Sequence, residues 1–198
     1  MVINAQGYFD CMHSYLNIRH YALPIKNSRI ILKENVFTAT GEKEMEVKLQ
    51  FNGEVFGIKL DKKNKKGNCE PLFHFLDDEA KPWASRCDFI IFHCYRNKIK
   101  AYLFEFKSKT ISADSIVRQL NAGEAWCKSL VKIIKIYTNK SKKISLTKFV
   151  LTLHTNPAAY LGENGKYLKA DSSIRHYNYD DIQGINLSDL ENSHEEAI

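Results

Sequence analysis

The stretch that decides the fold is DFIIFHCYRNKIKAYLFEFK, residues 88–107. Two apolar runs flank a short polar connection, a pattern typical of antiparallel strands that are buried on both faces. A two-residue turn at Arg96-Asn97 predicts a register in which opposed residues have numbers that sum to 193. In that register Asp88 faces Glu105, at one end of the strand pair.

Lys107 joins these two carboxylates on the same face, because alternate side chains of a strand point the same way. Two nearby carboxylates repel each other unless positive charge neutralises them, and a hard divalent cation with oxygen ligands does this well. Such a cation activates water and stabilises a leaving oxygen, so the trio indicates phosphodiester hydrolysis. The alternative is an ordinary cross-strand charge pair, which contributes little energy.

The remaining patterns predict one mixed sheet with a crossover helix, an α/β (α+β) domain. Two β-rich runs on either side of Asn52-Gly53 predict a hairpin within residues 45–60. Ser112 or Asp114 caps a long amphipathic helix. The other expected elements are a helix between Tyr8 and Leu23 that Pro24 ends, strands at 30–32, 88–94, 99–106 and 146–153, and irregular structure over 155–185.

The charge pattern favours a polyanionic partner. The chain carries +6, and residues 186–198 contain four acids and no Lys or Arg, which leaves +10 for residues 1–185. Such a basic excess favours nucleic acid, and no helix has the amphipathic pattern of a membrane-surface anchor. Solvated surface is the alternative for any one basic cluster. The residues expected to contact nucleic acid are Lys62, Lys63, Lys65, Lys66, Arg118, Lys128 and Lys132.

Cysteine usage and hydropathy favour a cytoplasmic protein. The five cysteines form no CxxC pair, which argues against a disulfide framework and for a reducing compartment. No apolar run has the length of a membrane span, and the first ten residues lack a secretory pattern. We therefore expect no membrane partner.

The segments SRCDFIIF (85–92), AYLFEFKSK (101–109) and SIVRQL (115–120) together resemble the PD-(D/E)xK nuclease superfamily, which includes many restriction endonucleases. The resemblance spans about residues 44–153. It implies a restriction-endonuclease-like mixed β-sheet flanked by helices, with the core order αβββαβ.

The same resemblance implies roles for individual residues. Asp88 and Glu105 would bind Mg²⁺ (or Mn²⁺) together with the backbone carbonyl of Phe106. Lys107 would position or activate water, and Gln119 would assist at the phosphate or the metal.

Two departures from the family pattern bear on these roles. Cys87 stands where the family has proline, which leaves the chemistry intact. The additional acid that many members carry on the N-terminal helix has three candidates here, Glu34, Glu44 and Glu46, so the number of metal ions stays open.

We therefore expect a metal-dependent endodeoxyribonuclease that hydrolyses DNA in preference to RNA, in restriction or phage defence. Residues 1–185 would form a single nuclease-like domain and residues 186–198 an acidic, disordered tail. A homodimer or a protein partner is compatible with this reading. The alternatives are a catalytically inactive nuclease-fold subunit that binds nucleic acid or a partner, and a structural subunit with a solvated basic surface.

Overall fold

The computed structural model describes residues 3–38, 41–61, 82–107, 112–153 and 159–198. The helices in these ranges are α1 (Ala5–Tyr15), α2 (Ile18–Tyr21) and α3 (Ala113–Thr138). The strands are β1 (Ile25–Lys26), β2 (Arg29–Thr38), β3 (Gly41–Gln50), β4 (Glu54–Lys59), β5 (Phe89–Tyr95), β6 (Lys98–Lys107), β7 (Ile144–Thr152), β8 (Ile174–Asn178) and β9 (Glu196–Ala197).

The central sheet is mixed and has the strand order β4-β5-β6-β7-β8, with β9 pairing to β7. β4, β5 and β6 are antiparallel, whereas β6, β7 and β8 are parallel, so α3 is the crossover between β6 and β7. Phe89 pairs with Phe104, which confirms the predicted register. Arg96 and Asn97 both have positive φ, as the predicted two-residue hairpin turn requires.

Both faces of the central sheet are buried, by different layers. α1 and α3 cover one face, where Ile90 and Leu120 belong to one core cluster. The sheet β1-β2-β3 covers the other face, where Val47 and Phe104 belong to a second cluster. Burial on both faces explains the continuous apolar runs of β5 and β6. The predicted mixed sheet with helices against it is confirmed, and the second sheet is an addition to the prediction.

The predicted hairpin across Asn52-Gly53 is wrong. β3 pairs with β2 along its whole length and β4 pairs with β5, so the two strands belong to different sheets. Gly53 has a φ of +82°, and a β-carbon there would collide with the carbonyl oxygen of Cys94. The turn therefore moves the chain from one sheet to the other, at a place where only glycine fits. Burial decides the pairing, because Val47 and Leu49 of β3 pack in the second core.

The helix α3 begins and packs as predicted. The side chain of Ser112 caps it by accepting a hydrogen bond from the backbone N–H of Ser115 at 3.4 Å. Its apolar face is buried against the sheet. Gly123 allows a close approach, because a β-carbon there would collide with the sulfur of Cys87, the residue before Asp88. This contact places the first half of α3 beside the charged end of β6.

Three other segments differ from the prediction. The N-terminal helix is divided into α1 and α2, and the region expected to be irregular contains β8. Residues 186–198, expected to form a disordered tail, instead contact the central sheet: Leu187 is buried and β9 pairs with β7. Burial of Leu187 and Leu190 and the pairing of β9 with β7 hold this segment in place. Its acids add exposed ion pairs, because Glu195 lies 2.5 Å from Lys100 and Glu196 lies 2.5 Å from Lys128.

Candidate active site

Asp88 and Glu105 lie opposite each other where the β5–β6 pair ends. The carboxylate of Asp88 accepts a hydrogen bond from the backbone N–H of Phe106 at 2.6 Å. In return, the backbone N–H of Asp88 stabilises the carboxylate of Glu105. Each carboxylate is therefore oriented by the neighbouring strand. Their exposed fractions are 8% and 1%, so both are largely removed from water.

Lys107 and Gln119 complete the group that the sequence predicts. The ammonium of Lys107 forms an ion pair with Glu105 and donates a hydrogen bond to Oε1 of Gln119 at 2.9 Å. Gln119 lies on α3 and also accepts a hydrogen bond from the hydroxyl of Ser115 at 3.1 Å. Strand β6 and helix α3 thus hold the ammonium between them. The four predicted residues are together at one end of the sheet, and their catalytic roles stay predictions.

Burial dominates the electrostatics of the two carboxylates. It raises the pKa of Asp88 well above the usual value, and the negative charges of Glu105, Asp61 and Glu34 raise it further. Burial also raises the pKa of Glu105 to about 7, although Lys107 acts in the opposite direction. Without a cation, this pair therefore keeps its protons to a higher pH than ordinary carboxyl groups do. Perturbed carboxyl pKa values of this kind are common in catalytic sites.

Two further acids extend the pair. Glu34 comes from β2 and Asp61 follows β4, and one oxygen from each lies within 4.8 Å of the others and of an Asp88 oxygen. Lys59 lies 2.5 Å from Glu34 and 3.7 Å from Asp61. Burial lowers the pKa of Lys59, but these acids together raise it by more. The second sheet therefore contributes a carboxylate to the same end of the molecule.

Asp88 and Glu105 are buried acids, and two lysines contact the acids of the site: Lys107 pairs with Glu105, and Lys59 pairs with Glu34 and lies near Asp61. Buried negative charge is unfavourable unless protons or a cation compensate it. Oε2 of Glu105 is buried and has no hydrogen-bond partner in the described part of the chain. Carboxylate oxygens with a free lone pair are ligands that Mg²⁺ and Mn²⁺ prefer, so these residues fit such an ion.

The sequence offers three candidates for the additional acidic ligand, Glu34, Glu44 and Glu46, and the structure places them differently. Glu34 lies with Asp88. Glu44 and Glu46 instead pair with Lys33, each at 2.9 Å, on the second sheet. For Phe106, the contact with Asp88 is made by the backbone N–H. Its carbonyl as a metal ligand stays a prediction.

The predicted nucleic-acid contacts fall into three groups. Arg118 and Lys132 are exposed on α3 and have no ion-pair partner among the residues that the structure describes. Lys128 is exposed and forms ion pairs with Glu124 at 2.6 Å and Glu196 at 2.5 Å, and its contact with nucleic acid stays a prediction. The other four, Lys62, Lys63, Lys65 and Lys66, lie outside the described residues.

Sequence reasoning missed three residues at or beside the site. Asp61 lies just after β4, whose pairing with β5 brings the end of β4 beside Asp88, and the wrong hairpin concealed this neighbour. Tyr179 is buried, and its pKa is raised by burial and then by Asp88, Glu34 and Glu105, so its hydroxyl stays protonated. Thr152 pairs with Lys107 across the sheet and contacts Nε2 of His176 at 2.8 Å. No short motif marks Tyr179 or Thr152.

Comparison of the chain with protein-family models, with curated proteins and with solved structures gives no match. None of the helices in the described ranges combines the length and the apolar character needed to cross a lipid bilayer.

Proposed function

We propose that this protein is a metal-dependent nuclease that hydrolyses DNA phosphodiester bonds. The observation that supports this most strongly is the pair of buried carboxylates, Asp88 and Glu105, beside an ammonium that both a strand and a helix hold in place. Burying two acids next to each other costs stability, and an ordinary fold has no need of it. A metal ion and a catalysed reaction at this position would explain why the two acids are buried together.

The order of elements supports a restriction-endonuclease-like fold. α1, β4, β5, β6, α3 and β7 follow one another in the order αβββαβ, and the second sheet is inserted after the first helices. In this order Asp88 lies at the start of the second strand and Glu105 near the end of the third. Gln119 lies in the helix that follows.

Asp88 and Glu105 would hold a Mg²⁺ or Mn²⁺ ion, with Glu34 and Asp61 close enough to Asp88 to add oxygen ligands or to orient water. When bound, the ion supplies Lewis-acid stabilisation of phosphoryl oxygens and makes water more acidic. The raised carboxyl pKa values mean that the acids release protons as the site is loaded.

Lys107 is the residue of this chain that would act on the reacting atoms. An ammonium has three N–H donors, and Glu105 and Gln119 account for two of them. The third can hold the attacking water or offset charge on the phosphate in the transition state. Gln119 acts as a positioning residue, because it fixes the direction of the remaining donor.

DNA is the substrate that the charge favours. Residues 1–185 carry a formal +10, and Arg118 and Lys132 are exposed on the helix that also carries Gln119. A phosphate backbone would contact these residues while its scissile group lies at the start of α3, where backbone N–H groups favour anions.

The test is incubation of the purified protein with supercoiled and linear DNA in Mg²⁺ and in EDTA. We expect cleavage in Mg²⁺, none in EDTA, and none with Asp88→Asn. Glu44→Gln is the matched control, because Glu44 is an exposed acid outside the site. Salt-dependent DNA binding without cleavage in Mg²⁺ or Mn²⁺ would overturn the proposal in favour of an inactive nucleic-acid-binding subunit.

A further inference from the structure

A pocket lies at the opposite end of β6 from Glu105. Its volume is about 300 Å³, within the range of pockets that hold small molecules. It is formed beside the β5–β6 turn, and its walls include His93, Tyr95, Arg96, Lys98, Lys100 and Tyr102. Tyr102, the lining residue nearest Glu105 along β6, precedes it by three residues, about 10 Å, and its side chain lies on the opposite face of the sheet. The pocket is therefore separate from the candidate active site.

The hydroxyl of Tyr102 is the first sign that this pocket takes a ligand. Tyr102 is 2% exposed, and its oxygen has no hydrogen-bond partner in the described part of the chain. A buried hydroxyl without a partner is unfavourable, and a ligand atom that accepts its hydrogen bond removes this cost. Burial raises its pKa, and Glu195 and Asp189 raise it further, so the hydroxyl keeps its proton and can donate a hydrogen bond.

The second sign is a series of flat side chains along one wall. The rings of His93 and Tyr95 are parallel within 6°, with centroids 5.8 Å apart. The guanidinium of Arg96 lies over the Tyr95 ring, 4.9 Å from its centroid, and is exposed. Nε2 of His93 donates a hydrogen bond to the carbonyl oxygen of Asn52 at 2.6 Å, which fixes the imidazole. Of these three planes only the guanidinium of Arg96 is exposed, and guanidinium planes stack on nucleobases.

The third sign is the positive charge at the mouth. A neighbouring cavity of about 480 Å³ shares Lys98 and Lys100 with the pocket and adds Lys142 and Lys143. Glu195 pairs with Lys100. The other three lysines have no ion-pair partner within the described ranges. Cations that converge in this way favour a phosphate.

We propose that this pocket binds a nucleotide, with the base against the flat wall and the Tyr102 hydroxyl, and the phosphate on Lys98 and its neighbouring lysines. A nucleotide combines a π-face, polar base edges and a strong anion, which are the three properties that the walls recognise. The nucleotide comes either from solution or from a single-stranded nucleic acid. The site is independent of metal chemistry at Glu105.

Fluorescence anisotropy in EDTA tests the proposal with two labelled probes, AMP and a 12-nucleotide single-stranded DNA. We expect Lys98→Ala to weaken binding about tenfold and Tyr102→Phe about threefold, from the loss of a charged and a neutral hydrogen bond. The matched control is Lys135→Ala, an exposed lysine near the end of α3, on the other side of the sheet. Tyr102→Phe should melt at the same or a higher temperature, because its hydroxyl has no partner in the free protein.

The outcomes separate the two sources of ligand. AMP binding that both variants weaken identifies a free nucleotide, whereas binding of the 12-mer alone with the same dependence identifies a strand. The proposal is overturned if neither probe binds, or if Tyr102→Phe leaves the affinity unchanged while Lys98→Ala lowers it. That last result would place the anion on the exposed lysines outside the pocket.

Discussion

Glu105 and Glu124 are both acids held by lysines, and they differ in how their charge is compensated. Glu124 contacts Lys128 and Lys148, each at 2.6 Å, and Lys148 also donates a hydrogen bond to Asn121. Burial raises the pKa of Glu124, but the two lysines lower it by more. At Glu105 burial prevails over Lys107, and the pKa rises to about 7.

This difference indicates that the ion pairs of Glu124 have a structural role and that the ion pair of Glu105 has a different role. Glu124 and Glu196 are matched by two lysines, so this network needs nothing further. At Asp88, burial and the negative charges of Glu105, Asp61 and Glu34 disfavour the ionised carboxylate, so the folded chain is under electrostatic strain there. Proteins retain such strain where a ligand relieves it.

The largest expected effect is on cleavage. Glu105→Gln keeps the side-chain size and removes a ligand charge, so DNA cleavage in Mg²⁺ should fall at least about a hundredfold. Glu124→Gln removes an acid that also contacts lysine, and cleavage should stay within about threefold of wild type, as for surface changes away from a site. Initial rates of plasmid nicking measure both. Equal losses in the two variants would show that Glu105 is only a structural acid.

The next effect is on the pH dependence of stability in EDTA, which should have opposite directions for Glu105 and Glu124. The pKa of Glu105 is about 7 in the folded state and 4.5 ordinarily. Between these two pH values the folded state keeps a proton on this carboxyl group that the unfolded state has released. Stability should therefore fall as pH rises from 4.5 to 7, by about 3 kcal/mol from this residue. Urea unfolding of Glu105→Gln should lack this loss.

The contribution of Glu124 to stability changes with pH in the opposite direction. Its folded pKa lies below its ordinary value, so its contribution is present at neutral pH and is lost as pH falls through the folded pKa. Glu124→Gln should therefore be destabilising at pH 7 and nearly neutral at acid pH. Parallel pH profiles for the two variants would contradict the comparison.

The smallest expected effect concerns DNA binding along α3. Arg118→Ala and Lys132→Ala should each reduce the slope of log affinity against log salt by about 0.9, the value for one lost phosphate contact. Lys128→Ala should change the slope little, because Glu124 and Glu196 already neutralise this lysine. Binding in EDTA over a range of salt concentrations gives these slopes. If Lys128→Ala also reduces the slope by about 0.9, Lys128 contacts a phosphate in spite of its ion pairs with Glu124 and Glu196.

The sequence predicted the part of the fold in which local patterns and tertiary burial agree. The apolar runs around Arg96-Asn97 and the helical periodicity from Ser112 place Asp88, Glu105, Lys107 and Gln119 together without any knowledge of the rest. Asn52-Gly53 shows where this reasoning fails. An Asn-Gly turn is a local signal, and the pairing of the adjoining strands was decided by the cores that they enter.

The acidic extension of the site could not be read from the sequence for the same reason. Glu34 is one of several acids on exposed-looking strands, and only the position of the second sheet brings it to Asp88. Asp61 depends on β4 being the neighbour of β5. The folded position of residues 186–198 likewise depends on distant partners, namely the core that Leu187 enters and the lysines that Glu195 and Glu196 contact.

The most direct test of the central claim is a Mn²⁺ titration followed by the electron paramagnetic resonance signal of the free ion, in the absence of DNA. Wild type and Glu124→Gln should bind Mn²⁺ with the same affinity, and excess Mg²⁺ should displace it. Asp88→Asn and Glu105→Gln should lose this binding while remaining folded by circular dichroism. Equal Mn²⁺ binding in all four proteins, or none in wild type, would contradict a metal site at Asp88 and Glu105.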